Sequence, residues 1–476
     1  MLNQIPSFSC TYKKSRLWAT CLGLALLAPG CAQSTGGSHD PAPKVEASEQ
    51  IAGDRAPPAA PVVEPPAKEQ PPPVEKKKAW EPREADRVTP HQALENPEAL
   101  AAFYDRLAVI DDAAANGEKD AGLARVVHLG ASMIGSDDLT SVLREKFQTR
   151  FGDGGAGLVL MARYMSNYIH RWVKLNASGW GDCYIAYLCL KDGHYGLGGA
   201  AFWPSGSRAT TKISTRKHEL GDEVSKFEVW YADTPHGGKI DIRVDGGEKT
   251  VLDTKADTLT DRYHALDVEQ GAHTIEVTAR GGKRTRAYGV VLETDGPGIV
   301  WDQFSMLGAF TKRLHGYNPE HIKGQIAHRD PDLIAFTYGG NDLRRVANKK
   351  LTKEKYTEEY LTGIRRVQAG KPEASCLVIG ITDRGKSLTF TILPEHVQTI
   401  VDGQREAAKQ AGCAFFDTYT AMGGPGSLKA WMKKRPPLAA KDLKHLNHAG
   451  REIFGGWLYD AIVAGYVAHR TAKNPA

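Results

Sequence analysis

Three short blocks of the chain carry residue types that can do acyl chemistry, and each stands at a predicted loop edge. Gly130-Ala131-Ser132 follows the apolar run Arg125 to Gly130, read as a buried strand, and precedes a helical pattern with Leu139, Val142, Leu143, Phe147 and Phe151 on one side. A serine there sits at the carboxyl edge of a parallel sheet, where open α/β sheets bind ligands. By itself Ser132 is equally a helix N-cap. Thr337-Tyr338-Gly339-Gly340-Asn341-Asp342 ends a second apolar run, and an Asn amide or a glycine-freed N–H there can donate to a developing oxyanion. Alone it is a turn. Asp442-Leu443-Lys444-His445 precedes the last helical pattern; the carboxylate can orient the imidazole, which can then take a proton from a serine hydroxyl. Alone it is a surface pair. Taken in order, Ser132, Asp442 and His445 make a nucleophile, an orienting carboxylate and a base.

The elements that must position these blocks alternate in type. Pro97 to Asn116 has a helix-like apolar period, with Asn96 as an expected N-cap before Pro97. Pro331 to Tyr338, Cys376 to Ile381 and Cys413 to Asp417 read as parallel strands, with helices over Tyr356 to Gln368 and Glu395 to Gln410 between them. Asn447 is the expected N-cap of the final helix. Between these regions the pattern changes. Lys226 to Tyr231, Lys239 to Val244 and His273 to Thr278 alternate at period two, as half-buried antiparallel strands do. We therefore expect an all-β sandwich at 164–298, inserted into an α/β domain formed by 89–163 and 299–470.

The amino-terminal part differs again. Lys13, Lys14 and Arg16 precede the apolar run Leu17 to Leu27, which is too short to span a bilayer and reads as a secretory signal. Small residues before Cys31 suggest lipidation of that cysteine, so 1–31 is read as a lipoprotein-like signal and Cys31 as a membrane anchor; plain signal cleavage is the alternative. Residues 32–88 are rich in Pro, Ala, Glu and Lys without an apolar period, and read as a disordered tether. Export makes pairing of Cys183 with Cys189, and of Cys376 with Cys413, feasible; buried free thiols are the alternative.

Other function classes are disfavoured. The formal charge of +5 is spread along the chain, with no basic stripe interleaved with aromatics, so nucleic acid is not an expected partner. The mild basicity suits an anionic cell-wall polymer. None of the 16 histidines has metal-site spacing, and no metal or other cofactor is expected. Gly152 to Gly157 is glycine-rich but lacks the Lys-Ser/Thr of a phosphate loop, and reads as a turn near the active-site rim. Trp230 and Tyr231 can stack on sugar rings, or belong to the core of the sandwich.

The order Gly-x-Ser, Gly, Gly-x-Asn, Asp-x-x-His resembles that of the SGNH (GDSL-like) hydrolases. The chain resembles in particular the branch of bacterial peptidoglycan O-acetylesterases with an inserted carbohydrate-module-like β domain. His128 to Met133, Arg150 to Leu158, Tyr195 to Gly199, Tyr288 to Gly298, Met422 to Ser427 and the Asp442–His445 block carry the likeness. It implies a flavodoxin-like, three-layer α/β domain. It further implies an oxyanion hole formed by the Ser132 N–H, the Gly308 N–H and the Asn341 side chain, and it leaves open a structural calcium in the inserted module, without assignable ligands. Two positions depart from the family: Ala131 stands where an Asp is usual, and Leu307 where an Asn is common. The reading is an exported serine esterase removing O-acetyl groups from a cell-wall or exported polysaccharide. The alternatives are O-acetyl transfer by the same triad, or a tethered glycan-binding protein with weakened catalysis.

Overall fold

Strands buried on both faces are rich in apolar residues, and five buried strands form the central sheet of the computed structural model. These are β1 (Leu123–Gly130), β2 (Gly298–Ser305), β3 (Leu333–Thr337), β4 (Ser375–Ile379) and β5 (Ala414–Phe416), all parallel in the spatial order β2-β1-β3-β4-β5. This is the flavodoxin-like order, with its reversal of winding between β1 and β3. The structure describes residues 80–474 except 120, 218–219 and 386–390. The expected signal, Cys31 and nearly all of the tether lie outside the described residues.

Helices α1 (Ala101–Asn116), α2 (Asp138–Phe151) and α6 (His448–Lys473) cover one face of the sheet; α3 (Pro319–Arg329), α4 (Lys353–Gln368) and α5 (Pro394–Ala411) cover the other. Neighbouring strand residues point to opposite layers: Val126 packs with Phe103, Leu143 and Leu458, and Val127 with Ile326 and Ile364. Asn447 caps α6 as expected, accepting from Gly450 N–H. Asn96 does not cap. It adopts a left-handed conformation and donates to the Cys413 carbonyl, tying the start of the helical region to β5 instead.

The antiparallel module is a sandwich. One sheet runs Thr260–Gly271, Val224–Asp233, Arg286–Glu293, Ala200–Pro204, Trp180–Tyr184; the other runs Val173–Ser178, Arg208–Thr215, Thr274–Arg280, Lys239–Val244, Thr250–Asp253. Phe227, Val229, Ile240, Ile242, Ile275 and Val277 fill the space between. The module starts earlier than 164, because Gly157–Leu160 already pairs with Arg286–Glu293; four residues are too few to show alternation. Trp230 and Tyr231 are both buried, so neither is free to stack on a sugar. Trp230 packs in the same apolar cluster as α3, on the side of its sheet that faces the α/β domain.

The glycine tract 152–157 belongs to the opposite end of the molecule from the expected rim. A Cβ on Gly154 would lie 2.6 Å from the Ile299 carbonyl, and one on Gly152 2.3 Å from that of Pro297. The tract thus needs glycine because its backbone packs directly on the amino end of β2.

Both cysteine pairs are disulfides, Cys183–Cys189 and Cys376–Cys413. The second spans 37 positions and clamps β4 to the residue before β5. Chain-entropy restriction on that scale is worth about 4 kcal/mol. A Cys376→Ala/Cys413→Ala protein is expected to unfold in urea with a stability lower by about that amount, and an unchanged midpoint would show that the bond constrains nothing.

The fold also assembles a ligand set that no spacing revealed. His194, Asp261 and His321, from two parts of the sandwich and from α3, hold ligand atoms within 4.8 Å of one another. Both imidazole nitrogens of His321 are engaged: Gly196 N–H donates to Nε2, and Nδ1 meets Asp261 at 2.6 Å. The pair works as a clamp between module and α3.

Candidate active site

The carboxyl ends of β1 and β3 and the turn before α6 converge on a cavity of about 940 Å³. Ser132 opens a short 3-10 turn straight after β1, and the N–H of Ala131 is held by the Thr337 carbonyl at the end of β3. The serine hydroxyl is thereby presented outside the sheet edge. Its Oγ lies 2.9 Å from His445 Nε2, and His445 Nδ1 lies 2.6 Å from Asp442 Oδ2. With Nδ1–H donating to the carboxylate, Nε2 is the acceptor that faces the serine.

Asp442 is fixed from its other oxygen. Oδ1 accepts from the backbone N–H groups of Lys444 and His445, at 2.9 and 3.1 Å. Partial burial works to raise its pKa, but the bonds from His445 and from those two N–H groups outweigh it and hold the carboxyl below the ordinary range. The carboxylate is therefore ionised wherever the imidazole has to work.

Gly308 and Asn341 line the same cavity as Ser132 and His445. Gly308 has φ of 74°, a left-handed conformation that glycine adopts freely and that turns the loop after β2 toward the cavity. Asn341 Nδ2 donates to the Ala309 carbonyl at 2.9 Å, which ties the Asn341 loop to the Gly308 loop. Leu307 also has a place here, since its carbonyl accepts from Tyr184 OH at 2.7 Å. Tyr184 thus secures from the sandwich side the loop that the usual Asn would secure locally. Ala131 is buried among apolar side chains and makes no side-chain polar contact to replace.

Sequence reasoning passed over Asp342, the neighbour of Asn341. It is fully buried and accepts from both the N–H and the hydroxyl of Thr311 at 2.9 Å, with Arg345 at 3.2 Å. Burial raises its pKa to about 6 against the pull of those donors. It locks the segment that follows Gly308 to the Asn341 loop. Its signal was slight, an acidic residue in the polar loop between β3 and the short helix Leu343–Ala347. Below the site, Trp301 Nε1–H donates to His128 Nδ1, so His128 Nε2–H donates to Thr337 Oγ1 at 2.7 Å. Burial pushes this imidazole down to about 3, which keeps it a neutral brace between β1, β2 and β3.

An arrangement of this kind can attack a carbonyl with a serine, withdraw its proton to an imidazole and hold the resulting oxyanion by fixed N–H donors. Residues 253–453 match the model of the GDSL-like lipase/acylhydrolase family. The match takes in Gly308, Asn341, Asp442 and His445, with Ser132 ahead of it. Among solved structures, one described as a peptidoglycan O-acetylesterase in action superposes with a TM-score of 0.59 and 21% identity, over 78% of this chain and 97% of that one. A lipase/acylhydrolase from Enterococcus faecalis (TM-score 0.27, 18% identity, 35% of this chain and 76% of that one) overlaps a smaller part. An acetyl xylan esterase does the same (TM-score 0.26, 17% identity, 34% and 80%). No curated protein sequence matches the chain significantly. Less than half of the chain thus matches the GDSL-like lipase/acylhydrolase family, and 78% of it shares a fold with the structure described as a peptidoglycan O-acetylesterase.

Proposed function

We propose that the protein is an exported esterase that removes O-acetyl groups from a cell-wall or exported polysaccharide, with peptidoglycan first among these. Ser132 Oγ attacks the acetyl carbonyl carbon while its proton passes to His445 Nε2, and Asp442 stabilises the imidazolium. The Ser132 and Gly308 N–H groups and the Asn341 amide receive the oxyanion. His445 then gives its proton to the departing sugar oxygen, leaving an acetyl-serine. Water, deprotonated by the same imidazole, releases acetate. The observation that carries this reading is the continuous Ser132–His445–Asp442 hydrogen-bond chain at the mouth of a cavity wide enough for a sugar. The shared fold with a structure described as a peptidoglycan O-acetylesterase supports the acetylated glycan as substrate.

Export and a lipid anchor at Cys31 belong to the same proposal. Among the described residues no helix is long and apolar enough to cross a membrane. The domain division is proposed likewise: a discontinuous hydrolase unit carrying a β module that walls one side of the cavity through Tyr184, Ala186 and Tyr187.

The decisive assay measures acetate released from O-acetylated peptidoglycan beside that from an O-acetylated exopolysaccharide. Acetate from neither would remove the reading. The oxyanion assignment has its own check: Asn341→Ala is expected to lower kcat roughly 10²-fold or more with KM little altered. A loss confined to KM would mark Asn341 as a binding residue.

A further inference from the structure

The cavity around Ser132 has an unbalanced lining. Arg344, Arg384, Lys444 and Arg451 border it, and among the described residues no Asp or Glu does. Arg451 is paired with Asp138 behind the wall. Arg384 is different. It follows β4 in the loop that leads to Gly385, whose N–H is held by the Leu443 carbonyl at 3.0 Å inside the Asp442–His445 turn. Its guanidinium lies on the backbone of Gly340, where a Cβ would come within 2.6 Å of Nη2. Arg384 is therefore wedged between the Asn341 loop and the His445 loop.

Its Nε and Nη1 are enclosed, yet neither has a hydrogen-bond partner among the described residues. A guanidinium taken out of water without a counter-ion is costly, and native structures ordinarily supply one. Burial pulls its pKa down to about 10, with only the more distant charges of Asp442 and Asp383 acting against the fall. The fold has left this charge uncompensated beside a cavity that holds no carboxylate of its own. Planar carboxylates are the groups an arginine fork receives best.

We propose that Arg384 is a specificity-determining residue that receives a carboxylate borne by the acetylated glycan, so that O-acetyl esters of acidic sugars are preferred to those of neutral ones. This rests on the esterase reading above and narrows its substrate class. Two carboxylate sources share the chemistry, a lactyl ether on the sugar and a uronic acid.

Two matched pairs separate these sources. One compares 6-O-acetyl-N-acetylmuramic acid with 6-O-acetyl-N-acetylglucosamine, which differ by the lactyl ether alone. The other compares O-acetyl galacturonate with its methyl ester. The wild-type protein is expected to favour the acidic member of at least one pair about tenfold in kcat/KM, with the preference shrinking in high salt. The favoured pair names the source. Arg384→Gln is expected to erase that preference, mostly through KM, and Arg384→Lys to restore part of it. Equal turnover within both pairs overturns the proposal. So does a loss in Arg384→Gln that is equal for acidic and neutral esters, which would make Arg384 a positioning residue for the Asp442 turn. If the wild type cleaves neither these sugars nor p-nitrophenyl acetate, the esterase reading itself has failed.

Discussion

Ser132→Ala is expected to lower kcat toward p-nitrophenyl acetate by roughly 10⁴-fold or more, and His445→Ala by a similar factor. The two losses are not additive, because either substitution breaks the same proton path. Both leave the fold in place. Among the described residues Ser132 Oγ bonds to His445 alone, on the cavity side of the 3-10 turn. A Ser132→Ala protein that unfolds like the wild type but releases no acetyl-enzyme burst assigns the nucleophile. Retained turnover would remove the assignment and return Ser132 to the ordinary role of a residue at a strand–helix turn. Asp442→Asn should also cost activity, because the His445 backbone stays tied to Ala440 while the imidazole loses the charge that orients it and stabilises its cation.

The largest effect on stability is expected far from that site, at Arg329. This residue ends α3 and is buried with Asp302 of β2 and Glu293 of the sandwich. Its Nε donates to Asp302 Oδ2 at 2.6 Å, and Nη1 donates to Glu293, which also receives two bonds from Arg125. Arg329→Met takes the guanidinium from the buried Asp302 carboxylate and leaves Glu293 to Arg125 alone, and is expected to cost about 3–5 kcal/mol. Neutralising them in the same background, by Asp302→Asn and Glu293→Gln, should recover part of the loss. A drop of under about 1 kcal/mol would mean that water reaches the cluster. Acid has the same target. Burial alone would raise the Glu293 carboxyl, but Arg329 and Arg125 bring it down to about 2. A depressed folded pKa gives stability that is fully present above the unfolded carboxylate range and is lost as pH falls toward 2. Wild-type melting should therefore decline between about pH 4.5 and pH 2, and the Arg329→Met protein should lose most of that slope.

These two centres differ in how far they can be read from the chain. Ser132, Asn341 and the Asp442–His445 pair are legible because each ends an apolar run or begins a helix, where a polar residue has a reason to stand out. Strand β2 is hard to see for the opposite reason. Asp302 and Gln303 interrupt its run with completely buried polar groups, Asp302 paired with Arg329 and Gln303 Nε2 donating to the Ile134 carbonyl. Only tertiary partners make such a strand possible. Arg384 carries no motif at all, since what distinguishes it is the absence of a partner. Tyr184 was hidden because cavity-facing and core-facing aromatics look alike in an alternating strand, and Tyr187 because it stands in the turn that follows. The Asn96 contact with Cys413 joins residues hundreds of positions apart, which local capping rules do not reach.

The place where the sandwich interrupts the hydrolase has a consequence for how the chain becomes native. Strand β1 is complete early in the sequence, but its neighbour β2 begins only after the whole module has been made, in register from Leu123 against Gly298. Closing so long a loop is entropically slow unless the intervening segment has already condensed. The antiparallel module, which has an apolar core of its own, is suited to form first and to bring its own ends together at Gly157 and Leu292, which pair in one sheet. Assembly of the α/β domain then waits on the module as on a splint, and a defect in the sandwich would appear first as slow maturation of the protein rather than as a damaged site around Ser132.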